Sequence, residues 1–139
     1  MVIGKGFTQP DKAGSFGLEL VKLYKMTTTT TYPNITDMIY LDAAVKIANT
    51  LARHIVKGDE NNSPLPFKVN AVTGEIGKLL DNSGSGKGYQ LSSYTSNWSG
   101  TMELFLHLIE LKAGDPESYR NAFGIILDWM KTYPLKNNK

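Results

Sequence analysis

Glu103, His107 and Glu110 fall on one face of the segment Ser99–Lys112, at spacings of four and three residues. Most other positions in that segment are apolar. Such spacings bring side chains together on a helix. A carboxylate beside an imidazole can move protons, which makes Glu103 the first catalytic candidate. His107, one turn below it, is a candidate general base, ligand-binding group or metal ligand. Glu19 holds a similar place, one turn into an earlier helix. Two carboxylates about 5–10 Å apart across a cleft are what glycosidic-bond hydrolysis needs, one as acid and one as base or nucleophile. Each residue also has a plainer reading. First-turn glutamates favour the helix dipole in any protein, and a buried histidine can simply be hydrogen-bonded. The only other histidine is His54, and no His-x-x-x-His or Glu-x-x-His spacing is present, so no metal site and no cofactor is expected.

Other chemistry is excluded by what the motifs lack. Gly84-Ser85-Gly86-Lys87-Gly88 is not a phosphate loop, because Gly88 stands where Ser or Thr would bind magnesium and no buried strand precedes it. Ser85 has Gly84 directly before it, which is not the nucleophile-elbow spacing. Asp59-Glu60-Asn61-Asn62 lacks a calcium-loop pattern. The chain has no cysteine, which removes disulfides and thiolate chemistry but leaves the compartment open. A net charge of +2, with one basic cluster around Lys131, Lys136 and Lys139, is too weak for nucleic acid. No run is long enough to span a membrane.

The elements that would position these groups follow from apolar periodicity. At 139 residues the chain reads as one domain. Residues 1–15, with Gly4, Gly6, Pro10 and Gly14, read as an irregular lead-in. A first helix is expected over Phe16–Met26, with Phe16, Leu20 and Leu23 in one apolar line and Val21 and Tyr24 beside it. Thr27–Thr31 and Pro33 should stop it. A second helix, capped by Asn34 or Thr36, should run to Val56 and close at Gly58. Its stripe is Met38, Leu41, Val45, Ala48, Leu51, Ala52 and Ile55, with Lys46, Asn49, Arg53 and Lys57 facing outward. Residues 58–97 form a long connection. Phe67–Asn70 and Glu75–Lys78 should make a β-hairpin there, and Ser83–Gly88 a flexible stretch. A third helix, Ser99–Lys112, ends at Gly114. A fourth is capped by Asp115 with Pro116 in its first turn, and buries Tyr119, Ala122, Phe123, Ile126, Trp129, Met130 and Tyr133. The fold expected is all-α: two α-hairpins, four main helices, and a long loop carrying a small β-hairpin.

The two hairpins are similar to each other. Tyr40-Leu41-Asp42-Ala43 with Ile47 matches Tyr119-Arg120-Asn121-Ala122 with Ile126, and Ser15–Leu20 matches Ser99–Leu104. Leu20–Thr27 followed by Tyr40–Ala48 resembles a hairpin of the α/α-toroid, six-hairpin glycosidase-like proteins. Pro64–Asn70 and Tyr94–Trp98 resemble loops of uncharacterised members of that group. The resemblance covers about Phe16–Lys139 and implies a carbohydrate-related protein. In such toroids the loops leading into the inner helices line a central funnel. By that resemblance Tyr94 and Trp98 would stack on sugar rings, Asn97 would bind hydroxyls, and Glu103 would begin acid/base cleavage of a glycosidic bond. Trp98 can instead be a hydrophobic staple ahead of a cap at Asn97 or Ser99. A complete toroid has about six hairpins, so two imply either a piece of a larger protein or a small domain built on the same unit. A two-hairpin piece would expose apolar faces and self-associate. The competing class is a noncatalytic helical-repeat module that binds a protein or a glycan.

Overall fold

The computed structural model describes residues 6–29, 38–60, 62–66, 68–70, 72–73, 75–76, 79–80, 86–87 and 96–133. Among these, four helices carry the fold: α1 (Pro10–Thr29), α2 (Met38–His54), α3 (Ser96–Glu110) and α4 (Pro116–Thr132). Four two-residue strands accompany them: β1 (Phe7–Thr8), β2 (Val69–Asn70), β3 (Leu79–Leu80) and β4 (Gly86–Lys87). The fold is all-α, as the periodicity requires.

The first helix is longer at both ends than its apolar pattern suggests. It begins at Pro10, so the last part of the expected irregular lead-in is helical. Proline is tolerated there because a first-turn N–H has no helical partner. Asp11 suits the dipole, and the Ala13 N–H already bonds to Gln9 O at 3.0 Å. At the other end the threonines continue the helix through Thr29. The Thr27 and Thr28 hydroxyls donate to the carbonyls of Tyr24 (2.7 Å) and Lys25 (2.9 Å), bonding back onto the helix.

The buried face of α1 differs in part from expectation: Val21, Leu20 and Tyr24 of the expected apolar residues join the core, but Phe16 and Leu23 do not. Leu18 and Val21 are buried with Gly14 and Gly17, whereas Phe16 is 60% exposed and Leu23 and Met26 face outward. The contact is made by the smallest residues. A Cβ on Gly14 would lie 2.7 Å from Thr101 Cβ, and one on Gly17 would lie 2.7 Å from a Leu104 methyl. Across the same seam Gly100 of α3 lies against Ser15. The missing side chains let α1 and α3 approach backbone to backbone. A hydrophobicity pattern cannot register this, because it gives glycine no weight.

Helix α3 is the most enclosed of the four, with Trp98, Thr101, Leu104, Phe105 and Leu108 all buried. Its register against α1 advances in step, from Gly14 beside Thr101 and Gly17 beside Leu104 to Lys25 beside His107. The two helices are therefore parallel. The outer pair is parallel as well. Val45 lies near Gly114, the Tyr119 hydroxyl donates to Asn49 Oδ1, and Gly58 meets the Trp129 ring. The α1–α2 and α3–α4 hairpins thus stack with like helices side by side. Phe105 and Tyr119 stack across the second hairpin at 5.6 Å between ring centroids.

The α3–α4 turn has a defined geometry. Ala113 N–H bonds to Leu108 O and Lys112 N–H to Ile109 O, which places Lys112 in the left-handed region at φ 53°. This is a Schellman ending with lysine where glycine is usual. Gly114 follows at φ 71°, and Asp115 Oδ1 accepts from the Ser118 N–H at the start of α4. Of the stripe expected on α4, Tyr119, Ala122, Ile126 and Trp129 are fully buried, with Phe123 and Met130 half-buried.

Helix α2 ends at His54 rather than Val56, because the Val56 N–H turns to Pro64 O. Met38 is exposed, contrary to its expected place in the stripe, whose buried members are Leu41, Ala48, Leu51 and Ala52; Ala44, outside that stripe, is buried with them. Asn34 and Thr36 lie outside the described residues. The beginning of the long connection packs into the core: Leu65 is buried, Ser63 Oγ donates to Leu65 O, and Trp129 Nε1 donates to Asp59 O at 2.9 Å.

Among the described residues, the expected hairpin over Phe67–Lys78 shows a bridge of Val69 with Ile76 and a bond from the Asn70 N–H to Glu75 O at 2.8 Å. Its turn is held by Asn70 Oδ1, which accepts from the Val72 and Thr73 N–H groups. The main partner of β2 is β1 from the lead-in, antiparallel, with Phe7 opposite Asn70 and Thr8 opposite Val69. Within the stretch expected to be flexible, Gly86–Lys87 pairs as β4 with β3.

Candidate functional site

Glu19 is exposed and pairs with Lys22 of its own helix at 2.9 Å. Glu103 is also exposed on α3. His107 turns toward α1, where its Nδ1 accepts from Lys25 Nζ at 2.8 Å. That bond requires a neutral ring with its proton on Nε2. Glu110 lies 3.5 Å from the same ammonium and 3.8 Å from His107 Nδ1. The strip therefore forms a Lys25–His107–Glu110 cluster that ties α3 to α1, with Glu103 one turn away.

Trp98 sits inside the first turns of α3, not in a loop before them, and is 1% exposed. Its ring is a core element in this arrangement and offers no open face to a sugar. Asn97 is also within the helix, so neither it nor Ser99 is the residue preceding α3; only its backbone is described. Tyr94 lies outside the described residues. Among the described residues no group of three His, Asp or Glu side chains could hold a metal. No described helix is long and apolar enough to cross a membrane.

A different region has the shape of a site. A groove of about 580 Å³ opens where three stretches of chain converge. Thr8 brings the end of β1, and Pro10 and Ala13 the start of α1; Lys46, Ile47, Thr50, Leu51, Arg53 and His54 bring one face of α2. The third side is the loop, through Pro64, Leu65, Pro66, Val69 and Ile76. The volume falls in the range of small-molecule sites, about 300–1,000 Å³. Its described lining is mostly aliphatic. The charged or titratable groups in that lining are Lys46, Arg53 and His54, with no carboxylate among them.

The α2 face follows from helix geometry. Positions 46, 50, 53 and 54 share a side, and Lys46 and Arg53 are two turns apart, roughly 10 Å along the axis. Several neutral polar atoms here are engaged internally. Thr50 Oγ1 donates to Lys46 O at 2.9 Å, and His54 Nδ1 donates to Thr50 O at 2.9 Å. Asn70 Oδ1 holds the loop turn, and Thr73 Oγ1 accepts from the Glu75 N–H at 3.2 Å. No ion pair of Lys46 or Arg53 occurs among the described residues.

Sequence reasoning placed Lys46 and Arg53 correctly on the outward face of α2, but not that this face is one wall of a groove. The pairing of Phe7–Thr8 with Val69–Asn70 folds the loop over it. The nearest sequence signal is Pro64-Leu65-Pro66, an apolar, turn-forming run inside an otherwise polar connection. No family model, no curated protein and no solved structure matches the chain.

Proposed function

We propose that this chain is a noncatalytic binding module of stacked α-hairpins whose ligand occupies the groove between α2 and the loop. The observation that carries the reading is the convergence of three separate stretches on one concave, aliphatic surface with a cationic wall. Catalysis by the sequence-chosen carboxylates has less to stand on: Glu19 and Glu103 are both exposed, and Glu19 is paired with a lysine. The test is a titration followed by amide NMR, with 8-anilinonaphthalene-1-sulfonate as an apolar anionic probe. Shifts concentrated in residues 8–13, 46–56 and 63–73 are the expected result. Shifts spread evenly over all four helices, or none, would end the reading.

A second reading is favoured by one observation, the side-by-side stacking of like helices, which is the arrangement an α/α toroid repeats. On that reading the protein is carbohydrate-related and related to glycoside hydrolases. The groove lies at the end where α1 begins and α2 ends, the end at which the resemblance puts a funnel. An oligosaccharide array tests it directly; saturable binding that survives Glu103→Gln would favour a glycan-binding role over hydrolysis.

A further inference from the structure

We infer that the groove takes a medium-chain aliphatic carboxylate, with the carboxylate at Arg53 and the chain along Ile47, Val56 and Val69, lining residues that are not fully buried. The inference rests on reading the groove as a binding site and goes further by naming the chemistry that fits it.

The lining divides ligand classes by what it can offer. A sugar or a peptide backbone needs several neutral donors and acceptors. Here several neutral side-chain atoms on the α2 wall and at the turn already bond to the protein's own backbone: Thr50 Oγ1 to Lys46, His54 Nδ1 to Thr50, Asn70 Oδ1 to Val72 and Thr73, and Thr73 Oγ1 to Glu75. What the described lining offers is aliphatic surface and the cations Lys46 and Arg53, with no carboxylate in the lining itself. An aliphatic body with an anionic end is the complement of that surface, since the chain is desolvated against branched side chains while the charge stays at the rim. Arginine is the better of the two cations for a carboxylate, because its planar fork can donate two parallel hydrogen bonds. Lys46, two turns back along the same face, adds attraction as a point charge and no geometry.

Chain length and charge give separate readouts. Affinity should rise about threefold to fourfold per added methylene from hexanoate to decanoate while the chain is still being buried. Decanoate should bind at least about tenfold more tightly than decanol, the neutral ligand of equal length, and decyltrimethylammonium should be weaker still. Arg53→Gln should remove most of the preference for decanoate over decanol while leaving decanol affinity unchanged, and Lys46→Gln should reduce it by a smaller factor. Arg53 and Lys46 are both exposed, so the variants are expected to fold, and their amide spectra check that.

The experiment is isothermal calorimetry with the chain-length series, paired with amide NMR to locate each ligand. Decanoate shifts in the groove, a decanol affinity about tenfold lower, and loss of that difference in Arg53→Gln would support the assignment. Equal affinity for decanoate and decanol with both in the groove would overturn it while leaving the binding-module reading in place. Groove shifts with the naphthalene sulfonate and none with decanoate would do the same. The absence of groove shifts with every probe would overturn both.

Discussion

Replacing Gly14 by alanine tests whether α1 and α3 are held at their observed separation by the absence of a side chain. Helix propensity alone favours the change, since alanine in a helix interior is better than glycine by about 1 kcal/mol. The geometry opposes it. A Cβ at Gly14 would lie 2.7 Å from Thr101 Cβ and 2.9 Å from Thr101 Cα, and closer still to Thr101 Oγ1. The hydroxyl can rotate away, but the Cα cannot, so the helices must separate along a seam that includes Gly17, Leu104 and Gly100. Overpacking of this kind costs about 1–3 kcal/mol, and a backbone obstruction belongs at the upper end. The net expectation is destabilisation of about 2 kcal/mol.

Gly124 supplies the control, because it lies in α4 and a Cβ there would meet nothing within 4 Å. Gly124→Ala should stabilise by about 0.5–1 kcal/mol. Gly17→Ala should fall between the two, since its closest obstacle is a Leu104 methyl at 2.7 Å that can swing aside. The assay is urea unfolding followed by far-ultraviolet circular dichroism, reading midpoint shifts at constant slope. Thr101→Ala in the Gly14→Ala background should rescue little, because the 2.7 Å contact is with Cβ. A Gly14→Ala variant as stable as Gly124→Ala would refute the claim that this seam is a close backbone contact.

Two further substitutions probe the α3–α4 turn and its anchor. Lys112→Gly should raise stability by about 1 kcal/mol, because Lys112 holds a left-handed φ of 53° at the Schellman position; the urea midpoint reads it. Tyr119→Phe should cost about 1 kcal/mol at neutral pH by removing the bond to Asn49. Burial pushes the Tyr119 phenol above its ordinary value of 10.0; a hydrogen bond with the Asp115 backbone lowers it, and the nearby Asp115 charge raises it. The unfolded chain therefore loses this proton first. The stabilisation is fully present below pH 10 and is lost as pH rises through the folded value. Thermal unfolding between pH 9 and 11.5 should fall less steeply for Tyr119→Phe than for the parent; parallel curves would remove Tyr119 from the alkaline transition.

What could be read from the sequence follows a physical division. The α3 and α4 segments and the stacking of two similar hairpins were legible because burial writes a 3.6-residue period into large side chains, as in Tyr119, Ala122, Ile126 and Trp129. The face of α1 was legible only in part, at Val21, Leu20 and Tyr24, for the converse reason. Gly14 and Gly17 make its closest contacts and carry no hydrophobic signal, while Phe16 and Met26 carry a strong one and are exposed. The helix ends shifted where local bonds outbid propensity, as at Thr27 and Thr28, or where a distant acceptor claimed an N–H, as Pro64 O does for Val56.

The site was illegible for a stronger reason than a misread face. A helical period reports which positions of a segment are turned toward something apolar; it carries no information about what later covers the polar side. Lys46 and Arg53 have the spacing of an ordinary solvated face, and in isolation from the loop that is what they would be. They become the wall of a groove because Phe7–Thr8 and Val69–Asn70, far apart in sequence, pair and carry the loop turn across α2. Within the turn that this pairing carries, Asn70 Oδ1 and Thr73 Oγ1 accept from backbone N–H groups, and along α2 Thr50 and His54 already bond to the helix's own backbone. The same folding that creates the concavity therefore narrows its chemistry, leaving charge and aliphatic surface to select a ligand. Weakening the pairing, as in Val69→Pro, should consequently reduce decanoate binding while both cations are retained, because β2 can no longer hold the loop against β1. Undiminished affinity in that variant would mean that the cations act alone and that the groove plays no part.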